Sequence, residues 1–486
     1  MQSISDEDIL KRIRLENPWW NGEHQTSEVH RNWKARPYLK LFFPLVKETA
    51  VRRAVVLMGP RRVGKTVMIH HAIQRLLNEG VPPRAICYFS VDNPIYNMLR
   101  LEQFVSFYAT AADFDLKSEV SYIFFDEIQY LKNWETDLKS FVDTFSNVKV
   151  VVSGSAAAAL RLRSQESGAG RFTDFLLPPL TFYEYLDLLG QSDLVTAPPE
   201  IGPQNRSHFF STDDISLLNQ QFLNYLNYGG YPEVIFSKDI QSDPARFIKS
   251  DIIDKVLLRD LPSLYGINDI QELNYLFTTL AFNTADEISL EGLSKHSGVA
   301  KNTIKRYIEY LEAAFLIRTV HRIDRSAKRF TRATHFKVYL TNPSMRAAVF
   351  SPITENDPAL PLLAETAIYS QWFHAEGTPL YYARWKGGEV DIVCLDKTNQ
   401  TAAWAVEVKW SDRYCSDPGE LKSLIDFCLE NSLSDPLVTS KSLTVDREVK
   451  GIQLRFMPAS LYCYTVGHNI IRQKGRNPAE IGHVGI

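Results

Sequence analysis

Apolar residues follow three rhythms along this chain, and each predicts a different architecture. In the first third they form short, largely apolar runs at 54–58 (AVVLM), 88–92 (YFSVD), 122–126 (YIFFD) and 148–152 (VKVVV), the pattern of strands buried in a parallel sheet. After the first run, Ile69, Ala72, Ile73, Leu76 and Leu77 recur at helical spacing. Strand alternating with helix predicts a doubly wound α/β core. Around 288–311 the pattern becomes two helices about the turn Ser297-Gly298-Val299, with Ile304, Tyr307, Ile308 and Leu311 on one face of the second. That is the rhythm of a helix-turn-helix. Farther on, 389–395 and 402–409 alternate, predicting two strands joined by the polar turn 396–401, with helical patterns at 362–370 before them and 420–433 after. The segment 191–219 carries APPEIGPQN and little periodicity, and reads as a surface insertion.

The turn after the first strand carries the clearest chemistry. Gly59-Pro60-Arg61-Arg62-Val63-Gly64-Lys65-Thr66 fits G-x-x-x-x-G-K-[ST] in a strand–loop–helix setting. There, backbone N–H groups and a helix N-terminus bind phosphate oxygens. Lys65 would reach the β- and γ-phosphates of ATP, and the Thr66 hydroxyl would ligate Mg²⁺. About sixty residues later an apolar strand ends in Asp126-Glu127. Asp126 would complete the Mg²⁺ shell, and Glu127 would polarise the attacking water. Ser153 and Ser155, at the tip of the run 148–152, would lie beside the γ-phosphate if the strands are neighbours, although Ser-Gly-Ser is also a common turn.

Several motifs then fall in a specific order: NPWW (17–20), ARPY (35–38), GPRRVGKT (59–66), YFSVD (88–92), FFDEIQ (124–129), VVSGSA (151–156), AGRF (169–172), LPPLTFYEY (177–185) and GGYPEV (229–234). This set resembles a group of prokaryotic AAA+-type P-loop ATPases that carry a C-terminal domain of unknown function. The resemblance spans most of the chain and implies ATP hydrolysis. It makes Arg171 a transition-state or sensor arginine, the other reading being a structural ion pair. An arginine acting in trans, Arg171 or Arg259, would require a homo-oligomer.

Charge changes the picture only locally. With 54 Lys and Arg against 57 Asp and Glu the net charge is −3, so no global basic excess points to nucleic acid. Between 295 and 337, however, eleven basic residues face three acidic ones. Lys301, Lys305 and Arg306 lie off the apolar face of the second helix and are the candidate phosphate contacts of a DNA-binding winged helix. A winged lid that only packs and senses nucleotide is the other reading.

The alternating hairpin holds a second constellation. Asp391 would face Glu407 and Lys409 across the two strands, and Glu365, on the preceding helix, would enter the same cleft. Carboxylates with one lysine suit a Mg²⁺-dependent phosphodiesterase: Asp391 and Glu407 hold metal, and Lys409 offsets charge on the scissile phosphate. The order Glu, Asp, Glu-x-Lys resembles the PD-(D/E)xK, restriction-endonuclease-like nuclease fold. An inert nuclease-like fold that binds DNA or a partner, and a plain hairpin with charged ends, fit the same residues.

Five scattered cysteines without CxxC spacing indicate neither a zinc site nor a disulfide framework. No apolar run of about 18 residues or N-terminal apolar leader is present, so no membrane role is expected and the cytoplasm is the default compartment. The length predicts roughly two to four domains. We expect an ATPase domain at 1–235, a helical and winged region at 236–335, a nuclease-like α/β domain at 336–465 and a C-terminal tail at 466–486, weakly structured from Arg472. The chain reads as an ATPase, with ATP and Mg²⁺ as cofactors, that couples nucleotide state to nucleic-acid engagement and cleaves DNA through its C-terminal domain. The alternative is a regulatory ATPase or DNA-binding protein with an inert nuclease-like fold.

Overall fold

The apolar runs of the first third form a parallel sheet in the computed structural model, which describes residues 5–22, 25–116, 119–154, 170–198, 209–330, 334–375 and 379–472. The strands are β1 (Ala54–Met58), β2 (Ile86–Ser90), β3 (Ser121–Asp126), β4 (Val148–Gly154) and β5 (Phe172–Leu176), in spatial order β2-β3-β4-β1-β5. Every residue of β1 and β3 is buried, which is why these strands read as continuous runs. Helices α1 (Asp6–Glu16), α2 (Leu39–Lys47), α3 (Lys65–Asn78), α4 (Leu101–Ala112) and α5 (Trp134–Thr144) accompany the sheet. One core joins Val56, Phe89, Phe125 and Val152 of the strands to Ile13, Phe104 and Leu138 of the helices. Because β4 lies between β1 and β3, its C-terminal end stands between the loop after β1 and the carboxylates after β3. Ligands of open α/β sheets bind at such carboxyl ends.

The chain divides into two compact units, residues 1–178 and 179–486. The second unit contains α6 (Ile215–Tyr228), α7 (Ile270–Phe282), α8 (Leu290–Ser297), α9 (Lys301–Ala313), α10 (Leu360–Trp372), α11 (Lys422–Asn431) and α12 (Ala459–Arg472). Helices α8 and α9 turn at Gly298, whose φ of 74° suits glycine at a helix C-terminus. Nine strands form its sheet among the described residues: β6 (Glu287–Ser289), β7 (Ile317–Ile323), β8 (His335–Leu340), β9 (Leu380–Trp385), β10 (Gly388–Leu395), β11 (Ala402–Glu407), β12 (Leu437–Ser440), β13 (Val445–Val449) and β14 (Ile452–Pro458). Their order is β13-β14-β12-β11-β10-β9-β7-β8-β6. No helix among the described residues is long and apolar enough to cross a membrane.

This division differs from the expected one. A boundary at 235 falls inside the short helix Pro232–Phe236 of the second unit. The segment after Pro178 belongs with the later helices: the Phe182 N–H donates to Gln371 Oε1 of α10 at 2.9 Å, and Gly467 of α12 packs against Thr181. A boundary at 335 would sever a hydrogen-bonded sheet, since β8 pairs with β7 and β7 pairs in parallel with β9. The expected tail begins inside α12, which is buried along most of its length, while 473–486 lie outside the described residues. Within the expected insertion Thr196 bridges to Ser211 and α6 starts at Ile215, and 199–208 lie outside the described residues.

Candidate functional site

Backbone constraints shape the loop at the end of β1. A side chain on Gly59 would place Cβ 2.1 Å from the Leu177 carbonyl oxygen, and Leu177 N–H is itself bonded to Met58 O at 2.7 Å. Arg62 and Gly64 both adopt positive φ, 64° and 93°, turning the loop into α3. The buried Arg36 guanidinium donates from Nη1 to Val63 O at 2.9 Å and Pro178 O at 3.0 Å, pinning the loop from outside the motif. Lys65 opens α3, and its ammonium donates to Gly59 O at 3.1 Å and Pro60 O at 2.8 Å. The lysine therefore lies along the loop that it would serve.

Three elements converge on Asp126. Thr66 Oγ1, from α3, donates to Asp126 Oδ2 at 2.6 Å; Tyr88 OH, from β2, donates to the same oxygen at 3.1 Å; Ser153 Oγ, from β4, donates to Oδ1. Burial and the neighbouring Glu127 push the Asp126 carboxyl up, and the Ser153 and Thr66 hydroxyls with Lys65 pull it back. Glu127 has a left-handed backbone (φ 59°), its N–H donates to Ser153 Oγ at 3.2 Å, and its carboxylate accepts from Gln129. A non-glycine residue held there costs on the order of 1 kcal/mol, and such strain concentrates at functional positions. Adjacent hydroxyl and carboxylate oxygens on Thr66 and Asp126 fit a hard cation such as Mg²⁺. Pro60, Arg61 and Val63 occupy the loop, and Ser153 stands beside Asp126 as its neighbouring strand requires. Ser155 and Ala156 of the same stretch, and Ala169, lie outside the described residues.

Arg171 does not join this site. It precedes β5, its carbonyl accepts from Ala54 N–H at the start of β1, and its side chain pairs with Asp143 at 3.1 Å. In a parallel sheet that position is at the end opposite the phosphate loop, so the ion-pair reading describes it. Arg259 is exposed on the helical segment Val256–Asp260 of the second unit.

In the second unit the register Ile392↔Val406 sets Asp391 across from Glu407. Lys409 Nζ lies 2.7 Å from Glu407 Oε1 and 3.7 Å from Asp391 Oδ2, and Val408 N–H donates to Asp391 Oδ2 at 2.8 Å. Glu365 enters from α10, but its partners are Lys337 Nζ at 2.9 Å and Tyr339 OH at 2.6 Å. Glu389 approaches Lys337 at 2.7 Å and Arg384 at 2.9 Å. Burial, followed by the Asp391 charge, raises Glu407, and Lys409 opposes this. Glu407 Oε2 is buried with no hydrogen-bond partner, an orphan that a cation would satisfy. Among the described residues no three His, Cys, Asp or Glu side chains form a metal-binding group; Asp391 and Glu407 are the two carboxylates that face each other across the hairpin. Mg²⁺ is commonly held by one or two carboxylates with water and phosphate.

Tyr88 and Arg36 belong to the motifs YFSVD and ARPY without a role assigned there, and Lys337 and Glu389 carry no role in the sequence reading. Glu389 shares a strand face with Asp391, two residues away, and period-two spacing is the signal that reveals it. Lys337 is concealed in the basic run 295–337. The structure divides that run: Lys337 is buried among carboxylates, Arg322 and Arg325 pair with Glu287 and Glu430, and Lys301, Lys305 and Arg306 are exposed on α9. Lys301 lies 3.5 Å from Glu291, and Lys305 3.9 Å from Glu309, both at the surface.

Residues 51–186 match the family described as "AAA domain", and residues 219–357 a domain of unknown function (DUF8612). An uncharacterized protein of Haemophilus influenzae is 24% identical over 304 residues, covering 60% of this chain and 68% of its own length. An uncharacterized protein of Methanocaldococcus jannaschii is 22% identical over 296 residues, covering 60% of this chain and 61% of its own length. Among solved structures, a Walker-type ATPase of Pyrococcus abyssi is similar at 13% identity and TM-score 0.38, covering 63% of this chain and 94% of that one. The ORC2 protein of Aeropyrum pernix is similar at 13% identity and TM-score 0.35, covering 72% and 96%. The carboxylate hairpin at 389–409 lies beyond both matched segments. With its glycine loop, helix and strand-end carboxylate in place, the segment 51–186 is an AAA-type P-loop ATPase domain.

Proposed function

We propose that this chain binds ATP at the loop 59–66 and hydrolyses it. The observation that carries this reading is the junction of Thr66, Asp126 and Ser153, which brings three separate elements together on one buried carboxylate. Loop N–H groups and Lys65 bind the phosphates. Thr66 and Asp126 would hold Mg²⁺, which supplies charge stabilisation at the reacting phosphate. Glu127 orients the attacking water and takes up its proton. Ser153 sets the Glu127 backbone beside Asp126. The oxygen of water bonds to the γ-phosphorus as the bridging P–O bond breaks, releasing ADP and phosphate. Turnover and nucleotide binding measured for Lys65→Ala and Glu127→Gln test the assignment. The first should lose both, and the second should keep binding while turnover falls by about 10²-fold or more. Undiminished turnover in Glu127→Gln would remove Glu127 from the chemistry.

A second reading concerns the C-terminal cluster: phosphodiester hydrolysis with one Mg²⁺ on Asp391 and Glu407. The unpartnered Glu407 Oε2 favours it. Lys409 would offset charge on the scissile phosphate as water adds and the leaving oxygen departs. The element order α7-β6-α8-α9-β7-β8 supports a winged helix-turn-helix, whose exposed Lys301, Lys305 and Arg306 would contact the DNA backbone. The test is cleavage of labelled single- and double-stranded DNA with Mg²⁺ or Mn²⁺, with and without ATP. Cutting that disappears in Lys409→Ala supports a nuclease, and altered ATP dependence in Lys65→Ala supports coupling to nucleotide state. Intact ATPase activity without cutting points to a regulatory ATPase. Loss of Lys305 or Arg306 should each lower the salt slope of DNA binding by about 1.

A further inference from the structure

Lys337 sits on β8 within the basic run, yet its ammonium is buried in the C-terminal carboxylate cluster. Nζ lies 2.9 Å from Glu365 Oε1, 2.7 Å from Glu389 Oε1 and 3.7 Å from Asp391 Oδ1, with the side chain 4% exposed. The Tyr382 ring adds a face 5.5 Å from the ammonium. Glu365 and Glu389 are therefore occupied by resident donors: Lys337 holds both, Tyr339 also bonds Glu365, and Arg384 also bonds Glu389. Glu407 differs, because Lys409 satisfies only Oε1 and Oε2 is left unpartnered. Asp391 stands between the two sets, with Oδ2 toward Val408 N–H and Lys409, and Oδ1 toward Lys337.

We propose that Lys337 is a built-in cation that takes the place of a second metal ion, so that this site binds one divalent cation, on Asp391 and Glu407. The inference rests on the metal reading of the cluster given above. Four carboxylates meet Lys337, Lys409 and Arg384, which leaves a formal charge of −1. One divalent cation gives a site of +1, suited to an anionic phosphodiester. A second cation among Glu365, Glu389 and Asp391 would lie in contact with Lys337, 4% exposed, where low dielectric makes like-charge repulsion strong. Lys409, by contrast, is 26% exposed and engages only Oε1 of Glu407, leaving Oε2 open. Lys337 acts through Asp391 and is a positioning residue: it holds the charge and direction of that carboxylate whether or not metal is bound.

The experiment titrates Mn²⁺ into the nucleotide-free full chain and follows free Mn²⁺ by electron paramagnetic resonance. Binding that disappears in Glu407→Gln is assigned to this site. Wild type should take up one such ion. Glu365→Gln should change its affinity less than threefold, because Lys337 and not metal owns that carboxylate. Lys337→Met should take up two, the Glu407-dependent ion and one more that disappears when Glu365→Gln is added, and its thermal midpoint should rise with Mn²⁺ more than that of wild type. Two ions in wild type, one ion in Lys337→Met, or a tenfold loss of affinity in Glu365→Gln would each overturn the proposal. If Lys337→Met does not fold, the wild-type stoichiometry and Glu365→Gln decide the matter. If Glu407→Gln removes no Mn²⁺ binding from wild type, the metal reading of the cluster itself falls.

Discussion

Asp126 and Asp391 are both buried aspartates at the heart of a candidate phosphate-handling site, but their surroundings compensate charge in opposite ways. Asp126, 2% exposed, is held by the hydroxyls of Thr66, Tyr88 and Ser153. Asp391, 8% exposed, is held by a backbone N–H and lies near the ammoniums of Lys337 and Lys409. A hydroxyl donates a hydrogen bond and brings no charge, whereas an ammonium brings both. The first site is left with charge for an incoming cation and nucleotide to meet, and the second carries most of its compensation within the fold. Burial alone therefore says little about what a carboxylate is for; the formal charge of its partners says more.

Removing each charge should separate the two sites most sharply. Asp126→Asn should lower ATP turnover by about 10³-fold or more, since the metal loses its charged oxygen. The same change should cost far less nucleotide-free stability in urea, because the amide oxygen can still accept from Thr66 and Tyr88 while the amide N–H donates to the Ser153 hydroxyl, which reverses its role. Asp391→Asn should behave the other way, destabilising the chain by about 3 kcal/mol because buried ammoniums lose a counter-charge. Equal losses of stability at the two positions would break the contrast. A smaller effect comes from ligand linkage. Mg²⁺–nucleotide at a hundred times its Kd should stabilise wild type by about 2.7 kcal/mol, and Lys65→Ala should abolish that gain in a thermal-shift titration. Gly59→Ala should cost about 1–3 kcal/mol and weaken nucleotide binding, because its Cβ collides with the Leu177 carbonyl.

How much of this was legible in the sequence follows from the range of each interaction. Strand β1 and helix α9 lie where their periodicity predicts, because one buried strand and one amphipathic helix write their own pattern. Asp391, Glu407 and Lys409 meet because two adjacent strands and a period of two are local information. Lys337 was hidden: counted with ten other basic residues, it looks like surface charge, and only the pairing of β7 with β9 brings its hairpin into the same sheet as Asp391. Arg171 stayed open between two readings for a related reason. Motif order carries no information about which end of a sheet a residue occupies, and the register Ala54↔Phe172 places it away from the loop. The division at Pro178 was likewise invisible, since it depends on Phe182 and Thr181 meeting helices almost two hundred residues or more away.

The smallest prediction tests whether the hydroxyl-lined site has a weak point beneath it. His70, on the phosphate-loop helix, stacks on His30 at 4.0 Å and approaches the ring of Tyr88, which bonds Asp126, at 4.7 Å. Burial, with the nearby His30 and His71, pushes His70 down to about 3. The sign follows from linkage: the native state refuses a proton that the unfolded chain accepts near pH 6.5, so this contribution to stability is complete above that pH. It is lost as pH falls from about 6.5 toward 3, with a slope on the order of 1 kcal/mol per pH unit. His30 and His71 are lowered as well, mainly by burial, so they add in the same direction. Urea midpoints measured between pH 7 and 5 should fall less steeply in His70→Leu than in wild type. Identical slopes for wild type and His70→Leu would show that the proton is accommodated at that ring in the native state, and that acid sensitivity of the nucleotide site begins elsewhere.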